Sequence, residues 1–254
     1  MAVEENLEKY NDPAGYDALY NDYVKDLAYI EEVAAAINGS ILELACGTGR
    51  LTLPMAKKGY DMVGVDLHAG MLERARQKAQ EAGLDIPFYR QDCTKLNLEL
   101  KSSLIFMTGN SFQHFLTNES QGALFESVKR HLQPNGHFIF DTRNPILSEL
   151  AEVYEHTTQK SDHTEIVQME MEREEYDPLT QILHCTTVVE TVEEGEVARV
   201  EKSAISLRYT YPQELLRLIE AHSFELVALY GDWSKSAFTK DSPSMVVHCR
   251  LQEG

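Results

Sequence analysis

The sequence of 254 residues is long enough for one large α/β domain, alone or with an inserted subdomain. Hydrophobic residues make up 43% and charged residues 25% of the chain, a composition that argues against global disorder. The formal net charge of −18 opposes contact with a phosphate backbone, so we expect no nucleic-acid partner.

Short apolar runs alternate with helical patterns as far as residue 142. Helices are predicted at 14–37 (in two pieces), 49–58, 69–82 and 118–132, the last closed by the turn signal Pro134-Asn135-Gly136. Strands are predicted at 41–45, 61–66, 86–91, 103–108 and 137–142. Because parallel strands need crossover connections, this alternation predicts βαβ units in a parallel sheet.

The pattern becomes rich in β-strand residues after about residue 150. Alternating stretches at 165–174, 181–192 and 198–211 are separated by turn signals at Asp177-Pro178 and Glu194-Gly195. They predict an antiparallel β insertion after the fifth strand, of roughly sixty residues.

The α/β pattern resumes at the C-terminal end. Thr210-x-x-Gln213 has the spacing of a capping box and Pro212 suits a first turn, so a helix is predicted through Ala221. Strands at 224–230 and 244–251 follow, joined without a helical pattern and therefore expected to be antiparallel. The predicted organisation is a single domain with an N-terminal helical lid (1–38), a core (39–150 and 210–254) and the insertion (151–209).

A glycine-rich turn joins the first strand of the core to the next helix. In ELACGTG (43–49), Gly47 and Gly49 permit backbone torsions closed to other residues and let a ligand approach the backbone. Asp66 ends the second strand, where its carboxylate can accept both hydroxyls of an adenosine ribose. Asp92 follows the third strand, where it can face an adenine amino group. Together these segments favour an adenosyl ligand.

Nicotinamide-binding domains share this layout but usually carry G-x-G-x-x-G. Thr52 occupies the third glycine position here, which disfavours a phosphate-bearing cofactor. A nicotinamide-dependent oxidoreductase is therefore kept as the alternative.

The motifs strongly resemble those of class I S-adenosylmethionine-dependent methyltransferases. ELACGTG is similar to their motif I, with Ala45 where many members carry glycine, VGVDL (63–67) to their ribose-binding motif and RQDC (90–93) to their adenine-side loop. The resemblance implies a Rossmann-like fold whose mostly parallel, seven-stranded sheet has the order 3-2-1-4-5-7-6 and an antiparallel last strand. It implies S-adenosyl-L-methionine as cofactor, with contacts from Glu43, Ala45, Cys46, Gly47, Thr48, Gly49, Asp66, Leu67, Asp92 and Cys93.

A narrower similarity follows the fourth and fifth strands. TGNSFQH (108–114) resembles the GNSFxH segment of glycine N-methyltransferases, and FDTRN (140–144) resembles their I-D-x-R-N stretch. It implies that Asn110 and Arg143 hold the methyl acceptor, and that Thr108 and His114 lie beside the cofactor. Tyr16, Tyr20 and Tyr23 occupy the place of the aromatic lid of these enzymes, so Tyr20 is also a candidate cofactor contact.

Each candidate catalytic residue also has a structural interpretation. Positioning can suffice for methyl transfer to an amine, whereas a hydroxyl acceptor gains more from a general base. His114 is the candidate for such proton transfer, or is a packing residue. Arg143 could grip a carboxylate, or form an ordinary ion pair, and Asn110 could be a turn former. The acceptor is therefore expected to be a small amine, amino acid or hydroxyl compound.

No metal-binding or targeting pattern is present in the sequence. Cys46, Cys93, Cys185 and Cys249 form no C-x-x-C pair, so we expect no zinc or dithiol site and no metal. The N-terminal residues do not resemble a signal peptide and no apolar run could span a bilayer, so a cytoplasmic protein without a membrane partner is expected. A macromolecule methyltransferase and a noncatalytic adenosyl-binding module are further alternatives.

Overall fold

Helices and strands alternate along most of the chain. The structure is a computed structural model that describes residues 6–151, 153–161, 167–193 and 196–252. The α-helices are α1 (Pro13–Tyr20), α2 (Leu27–Ala35), α3 (Thr52–Lys57), α4 (Ala69–Glu81), α5 (Asn118–His131), α6 (Leu147–Leu150) and α7 (Pro212–Ala221). The strands are β1 (Ile41–Leu44), β2 (Met62–Asp66), β3 (Phe88–Arg90), β4 (Ser102–Met107), β5 (Leu132–Arg143), β6 (Tyr154–Ser161), β7 (Val167–Asp177), β8 (Ile182–Glu193), β9 (Glu196–Arg208), β10 (Phe224–Tyr230) and β11 (Ser244–Leu251). Short 3-10 helices lie at Glu8–Tyr10, Cys93–Lys95 and Ser111–His114.

Seven strands form the central sheet in the order β10-β11-β5-β4-β1-β2-β3. β1 to β5 pair in parallel, and β11 runs antiparallel to both of its neighbours, β5 and β10. This is the expected order, with β10 and β11 as the sixth and seventh strands of the sheet. The prediction of a Rossmann-like sheet with an antiparallel last strand is confirmed.

The core lies on both faces of this sheet. β1 and β4 are buried along their whole length, as expected of parallel strands that are covered on both sides. On one face, Phe125 of α5 meets Phe138 and Phe140 edge-on, at ring-centroid distances of 5.6 and 5.9 Å. The opposite face includes Ile30 of α2 and the buried Trp233. The strands are thereby fixed so that their carboxyl ends share one edge.

A second, four-stranded antiparallel sheet, in the order β6-β7-β8-β9, lies between β5 and α7 in the sequence. The prediction of an antiparallel insertion is correct, but it contained three strands. β6 was missed because its sequence, YEHTTQKS, lacks an alternation of apolar and polar residues. The turn predicted at Glu194-Gly195 lies outside the described residues.

Three predicted boundaries are wrong for local reasons. α3 begins at Thr52 and not at 49, because the preceding residues form the glycine-rich turn. Pro134-Asn135-Gly136 does not close a helix but lies within β5, where the pairing with β4 is irregular. α7 is capped by Tyr211, whose backbone N–H donates to Glu214 (3.3 Å), and not by Thr210. Among the described residues, no helix is long and apolar enough to cross a membrane.

Candidate active site

The glycine-rich turn after β1 contains three residues in the left-handed region. The φ angles of Ala45, Gly47 and Gly49 are +51°, +54° and +78°. A side chain at Gly49 would also place its Cβ 2.3 Å from Leu53 Cδ1, so this position has neither the torsion nor the space for another residue. Cys46 is buried within the same turn. Within this turn, at the carboxyl end of β1, Ala45 and Gly47 are partly exposed and Gly49 is buried.

Asp66 ends β2 next to this turn. Its carboxylate accepts hydrogen bonds from the backbone N–H of Gly47 (2.8 Å) and of His68 (2.7 Å). Burial raises the pKa of Asp66, while these hydrogen bonds act in the opposite direction. Leu67 follows, partly buried, and its carbonyl accepts from Arg90 (2.9 Å). Asp66 and the glycine-rich turn are thus brought together as predicted.

Glu43 lies on β1, beneath the turn. It is 3% exposed and accepts a hydrogen bond from the hydroxyl of Thr52. Burial raises its pKa to about 8, so the carboxyl is mostly protonated at neutral pH. Its predicted contact with a cofactor stays a prediction, since the side chain is enclosed by the protein.

Arg50, which sequence analysis did not single out, connects the turn to the N-terminal helices. Its guanidinium forms a two-pronged ion pair with Asp26, whose side chain is fully buried. It also donates to Thr108 Oγ1 (3.2 Å) and lies 5.4 Å from the ring centroid of Tyr23. The buried Thr108 is therefore held beside the glycine-rich turn, and its place beside the cofactor stays a prediction.

Asp92 is engaged by its own loop. Its Oδ1 accepts from the backbone N–H (2.9 Å) and the hydroxyl (2.8 Å) of Thr94 and thereby caps the 3-10 helix Cys93–Lys95. Cys93 is buried, and burial raises the pKa of its thiol to about 12. The contact of Asp92 with adenine stays a prediction, because this geometry is also that of an ordinary cap.

Asn110 lies three residues after the carboxyl end of β4, in the left-handed conformation (φ 58°, ψ 23°). Its backbone N–H donates to Asp141 Oδ1 (2.9 Å). Its side-chain Oδ1 is buried and has no hydrogen-bond partner among the described residues. A buried acceptor without a partner costs about 1–3 kcal/mol, so this atom marks a place where a donor is expected.

His114 is enclosed by the N-terminal 3-10 helix. Its Nε2 lies 2.9 Å from the hydroxyl of Tyr10, and its Nδ1 lies 3.5 Å from Asn6 Nδ2. Burial lowers the pKa of His114 to about 4, so the ring is neutral at physiological pH. Burial also raises the pKa of Tyr10, so its phenol stays protonated. The sequence carries no local signal for Tyr10, because its partner lies 104 residues away.

An N-terminal segment, residues 6–26, covers this edge of the sheet. Asp17 in α1 accepts from the hydroxyl of Thr48 (2.6 Å) in the glycine-rich turn, and from Arg74 and Lys78 of α4 (both 2.9 Å). Burial favours a raised pKa for Asp17, but the hydrogen bonds from these three partners outweigh burial and lower it. The segment is thus fastened directly to the predicted cofactor turn.

The same segment carries a row of aromatic rings. The centroid of Tyr16 lies 5.9 Å from that of Tyr10 and 4.7 Å from that of Tyr20. Tyr20 is 42% exposed, so its cofactor contact stays a prediction. Asn6 exchanges two hydrogen bonds with the backbone of Ser206 in β9, at 2.9 and 2.6 Å. The segment therefore also holds the insertion next to His114.

Arg143 ends β5 at the same edge of the sheet. Its side chain is exposed and forms no hydrogen bond or ion pair with the described part of the chain. The neighbouring Tyr209, at the base of the insertion, is buried, which raises the pKa of its phenol, while the positive charge of Arg143 acts to lower it. Arg143 is thus available to a ligand between the core and the insertion.

Comparisons with known proteins agree with this architecture. A family model described as a methyltransferase domain matches residues 41–136. YqeM of Bacillus subtilis (strain 168), which is named as a methyltransferase, is 29% identical over 150 residues, which are 57% of this chain and 60% of that protein. The chain therefore spans less than two thirds of the length of this curated relative.

Solved structures match over nearly the whole chain. An S-adenosylmethionine-dependent methyltransferase of Clostridium acetobutylicum ATCC 824 has a TM-score of 0.78 at 21% identity, covering 94% of this chain and 96% of its own. The CcbJ methyltransferase of Streptomyces caelestis has a TM-score of 0.75 at 27% identity, covering 90% and 89%. A methyltransferase domain is therefore recognised over residues 41–136, on a fold shared with S-adenosylmethionine-dependent methyltransferases. This family prediction is confirmed, whereas the similarity to glycine N-methyltransferases stays a prediction.

The fold of this methyltransferase domain is also found in enzymes that act on nitrogen. A glycopeptide N-methyltransferase complexed with S-adenosylmethionine and a sugar N-methyltransferase match with TM-scores of 0.59 and 0.69. Their identities of 18% and 16% show a shared fold and leave the acceptor of this chain open.

Proposed function

We propose that this chain transfers the methyl group of S-adenosylmethionine to an amine nitrogen of a small-molecule acceptor. The proposal rests on the difference between two residues near the carboxyl ends of the strands. Asn110 Oδ1 is a buried acceptor without a partner among the described residues, whereas the nearby His114 is a weak base. Such a site suits a methyl acceptor whose N–H donates to Asn110, and which needs to be oriented more than it needs to be deprotonated.

The residues after β1 and β2 fit the adenosyl part of the cofactor. An ionised carboxylate offers about four lone-pair positions, and the two backbone hydrogen bonds to Asp66 leave room for ribose hydroxyls. The left-handed backbone at Gly47 and Gly49 keeps side chains out of this contact. When bound there, S-adenosylmethionine supplies an electrophilic methyl group, and the protein contributes binding and orientation.

The low basicity of His114 favours an amine over a hydroxyl acceptor. A neutral amine already has a nucleophilic lone pair, so positioning and exclusion of water can suffice. A hydroxyl gains most from a general base whose pKa lies near the working pH, and burial holds the pKa of His114 at about 4. In this proposal, His114 orients the phenol of Tyr10, and Asn110 Oδ1 accepts an N–H of the acceptor.

Arg143 supports an acceptor that also carries an anionic group. A guanidinium binds carboxylate or phosphate through two parallel hydrogen bonds, and Arg143 is exposed at the carboxyl end of β5. The net charge of −18 opposes a nucleic-acid acceptor, which further supports a small molecule.

The test begins with calorimetric titration by S-adenosylmethionine, S-adenosylhomocysteine and NADH. We expect saturable binding of the two adenosyl ligands, and binding of NADH alone would overturn the proposal. Methyl transfer is then measured by mass spectrometry on matched acceptors that differ only in the nucleophile, beginning with glycine and glycolate. Transfer to amines supports N-methylation, whereas transfer confined to hydroxyl compounds contradicts it.

Asn110→Ala tests the acceptor contact, and Asn135→Ala is its matched control. Both asparagines have left-handed φ angles, +58° and +59°, but Asn135 lies at the opposite end of β5 from Arg143. Both variants lose the tolerance of asparagine for this conformation. We expect only Asn110→Ala to lose methyl transfer, by about 10- to 100-fold for a misplaced acceptor. Equal loss in both variants would assign the effect to backbone strain.

A further inference from the structure

Asp141 is a buried carboxylate to which the proposed reaction gives no role. It lies near the carboxyl end of β5 and is 4% exposed. Its Oδ1 accepts from the backbone N–H of Asn110 (2.9 Å), and its Oδ2 accepts from the indole N–H of Trp233 (3.1 Å). It forms no ion pair with the described residues. Burying a carboxylate without a paired cation is costly, which calls for a function that a neutral side chain could not supply.

The first hydrogen bond fixes an unusual stretch of backbone. Gly109 and Asn110 are consecutive left-handed residues, with φ angles of +70° and +58°. A left-handed conformation is costly for most residues, so it needs support from its surroundings. The charge-assisted hydrogen bond that Asp141 accepts provides this support at Asn110, whose side-chain Oδ1 is buried and has no partner among the described residues.

The second hydrogen bond serves the core instead. Trp233 lies in the loop after β10, is 7% exposed and packs 6.4 Å from the ring of Tyr29. The carboxylate of Asp141 therefore connects the Gly109-Asn110 turn to a packed part of the core. Because the two bonds use different oxygens, their contributions can be separated by substitution.

We propose that Asp141 is a positioning residue that holds the Gly109-Asn110 turn so that the Asn110 amide oxygen faces the acceptor amine. This proposal rests on the proposed function, since it names the support for that function's acceptor contact. Asp141 contacts neither acceptor nor cofactor and acts through Asn110.

Asp141→Asn is the direct test, because the carboxamide keeps the shape but, in either orientation, removes the charge from the bond to the Asn110 N–H and sets one new donor against an existing donor. We expect kcat to fall by about 10- to 100-fold, as for other small misplacements of a reacting group, with the Kd for S-adenosylmethionine unchanged. In the double variant with Asn110→Ala, kcat should be no lower than in Asn110→Ala alone. Trp233→Phe should lower the melting temperature and leave kcat within about twofold. Unchanged kcat in Asp141→Asn, or additive losses in the double variant, would overturn the role.

A second measurement separates this proposal from the proposed function. Hydrogen exchange of a peptide covering residues 108–115 should be faster in Asp141→Asn than in Trp233→Phe, whether or not an acceptor has been found. Unchanged exchange in this peptide would refute the positioning role even if wild-type protein methylates amines. Absence of methyl transfer by wild-type protein, together with faster exchange in Asp141→Asn, would contradict the proposed function and leave the positioning role intact. If Asp141→Asn fails to fold, Asp141→Glu, which keeps the charge but displaces it, replaces it in both measurements.

Discussion

Replacing Asp17 by Asn should loosen the N-terminal segment and speed the release of cofactor. The carboxylate of Asp17 is 12% exposed and joins Thr48 in the glycine-rich turn to Arg74 and Lys78 on α4. The amide keeps one hydrogen-bond acceptor but loses the charge that holds both cations. No other described contact ties α1 so directly to the turn where the cofactor is proposed to bind.

The expected magnitude follows from the exposure of the two ion pairs. The side chains of Arg74 and Lys78 are 33% and 16% exposed, so each pair is worth more than a fully solvated one. A combined loss of about 1–2 kcal/mol is expected, which corresponds to about a 5- to 30-fold shift toward the open segment. If cofactor leaves only from the open form, its dissociation rate should rise by the same factor.

Stopped-flow displacement of S-adenosylhomocysteine measures this rate. Asp241→Asn is the matched control, because Asp241 pairs with Lys240 at 2.7 Å while both side chains stay 74% and 88% exposed. Added salt should speed release from wild-type protein more than from Asp17→Asn, since screening weakens the ion pairs that only wild-type protein has. Equal dissociation rates in wild-type protein and Asp17→Asn would refute the argument that this contact controls release.

Three further substitutions test the turn itself. Asp66→Ala should weaken binding of S-adenosylmethionine by about 100-fold or more, because the two ribose hydroxyls would lose their charge-assisted hydrogen bonds. Near-wild-type affinity by calorimetry would contradict the ribose assignment. Ala45→Gly should raise the free energy of unfolding by about 0.5–1 kcal/mol, because the relief of left-handed strain exceeds the entropy cost of glycine, and a lowered melting temperature would show that the Ala45 methyl is needed. Burial raises the pKa of Glu43 to about 8, so its stabilising protonated form is lost as pH rises through 8. The free energy of unfolding of wild-type protein should therefore fall by about 1 kcal/mol between roughly pH 7 and 9, and that of Glu43→Gln should not. The same pH dependence in both proteins, measured by denaturation, would contradict this.

Local patterns were sufficient to predict the sheet and the turn. Strands such as β1 and β4 are short apolar runs, and Gly47 and Gly49 stand where a strand meets a helix, so sequence spacing alone located the turn. Asp66 followed from the same logic, because it directly ends the next strand. β6 was missed since its residues are polar on both faces, and its position depends on pairing with β7.

The contacts that complete the candidate site could not be predicted in the same way. Tyr10 and His114 are 104 residues apart, and Asp141 lies 31 residues after Asn110, so no local periodicity relates either pair. Such pairs are set by which strand ends meet at the edge of the sheet and by how the N-terminal segment crosses them.

The buried carboxyl groups near the site differ in how their charge is compensated. Asp26 is paired with Arg50, whereas the buried Glu43 and Asp141 form no ion pair with any residue that the structure describes. Burial raises the pKa of Glu43 to about 8 and that of Asp141 to about 6, so at neutral pH the first is mostly protonated and the second ionised. The negative charge therefore persists next to Asn110, at the turn that meets the proposed acceptor. The ionised Asp141 strengthens the hydrogen bond that it accepts from the backbone N–H of Asn110, and through that bond it holds the turn in the positioning role proposed above. This positioning role and the low basicity of His114 favour the same acceptor chemistry.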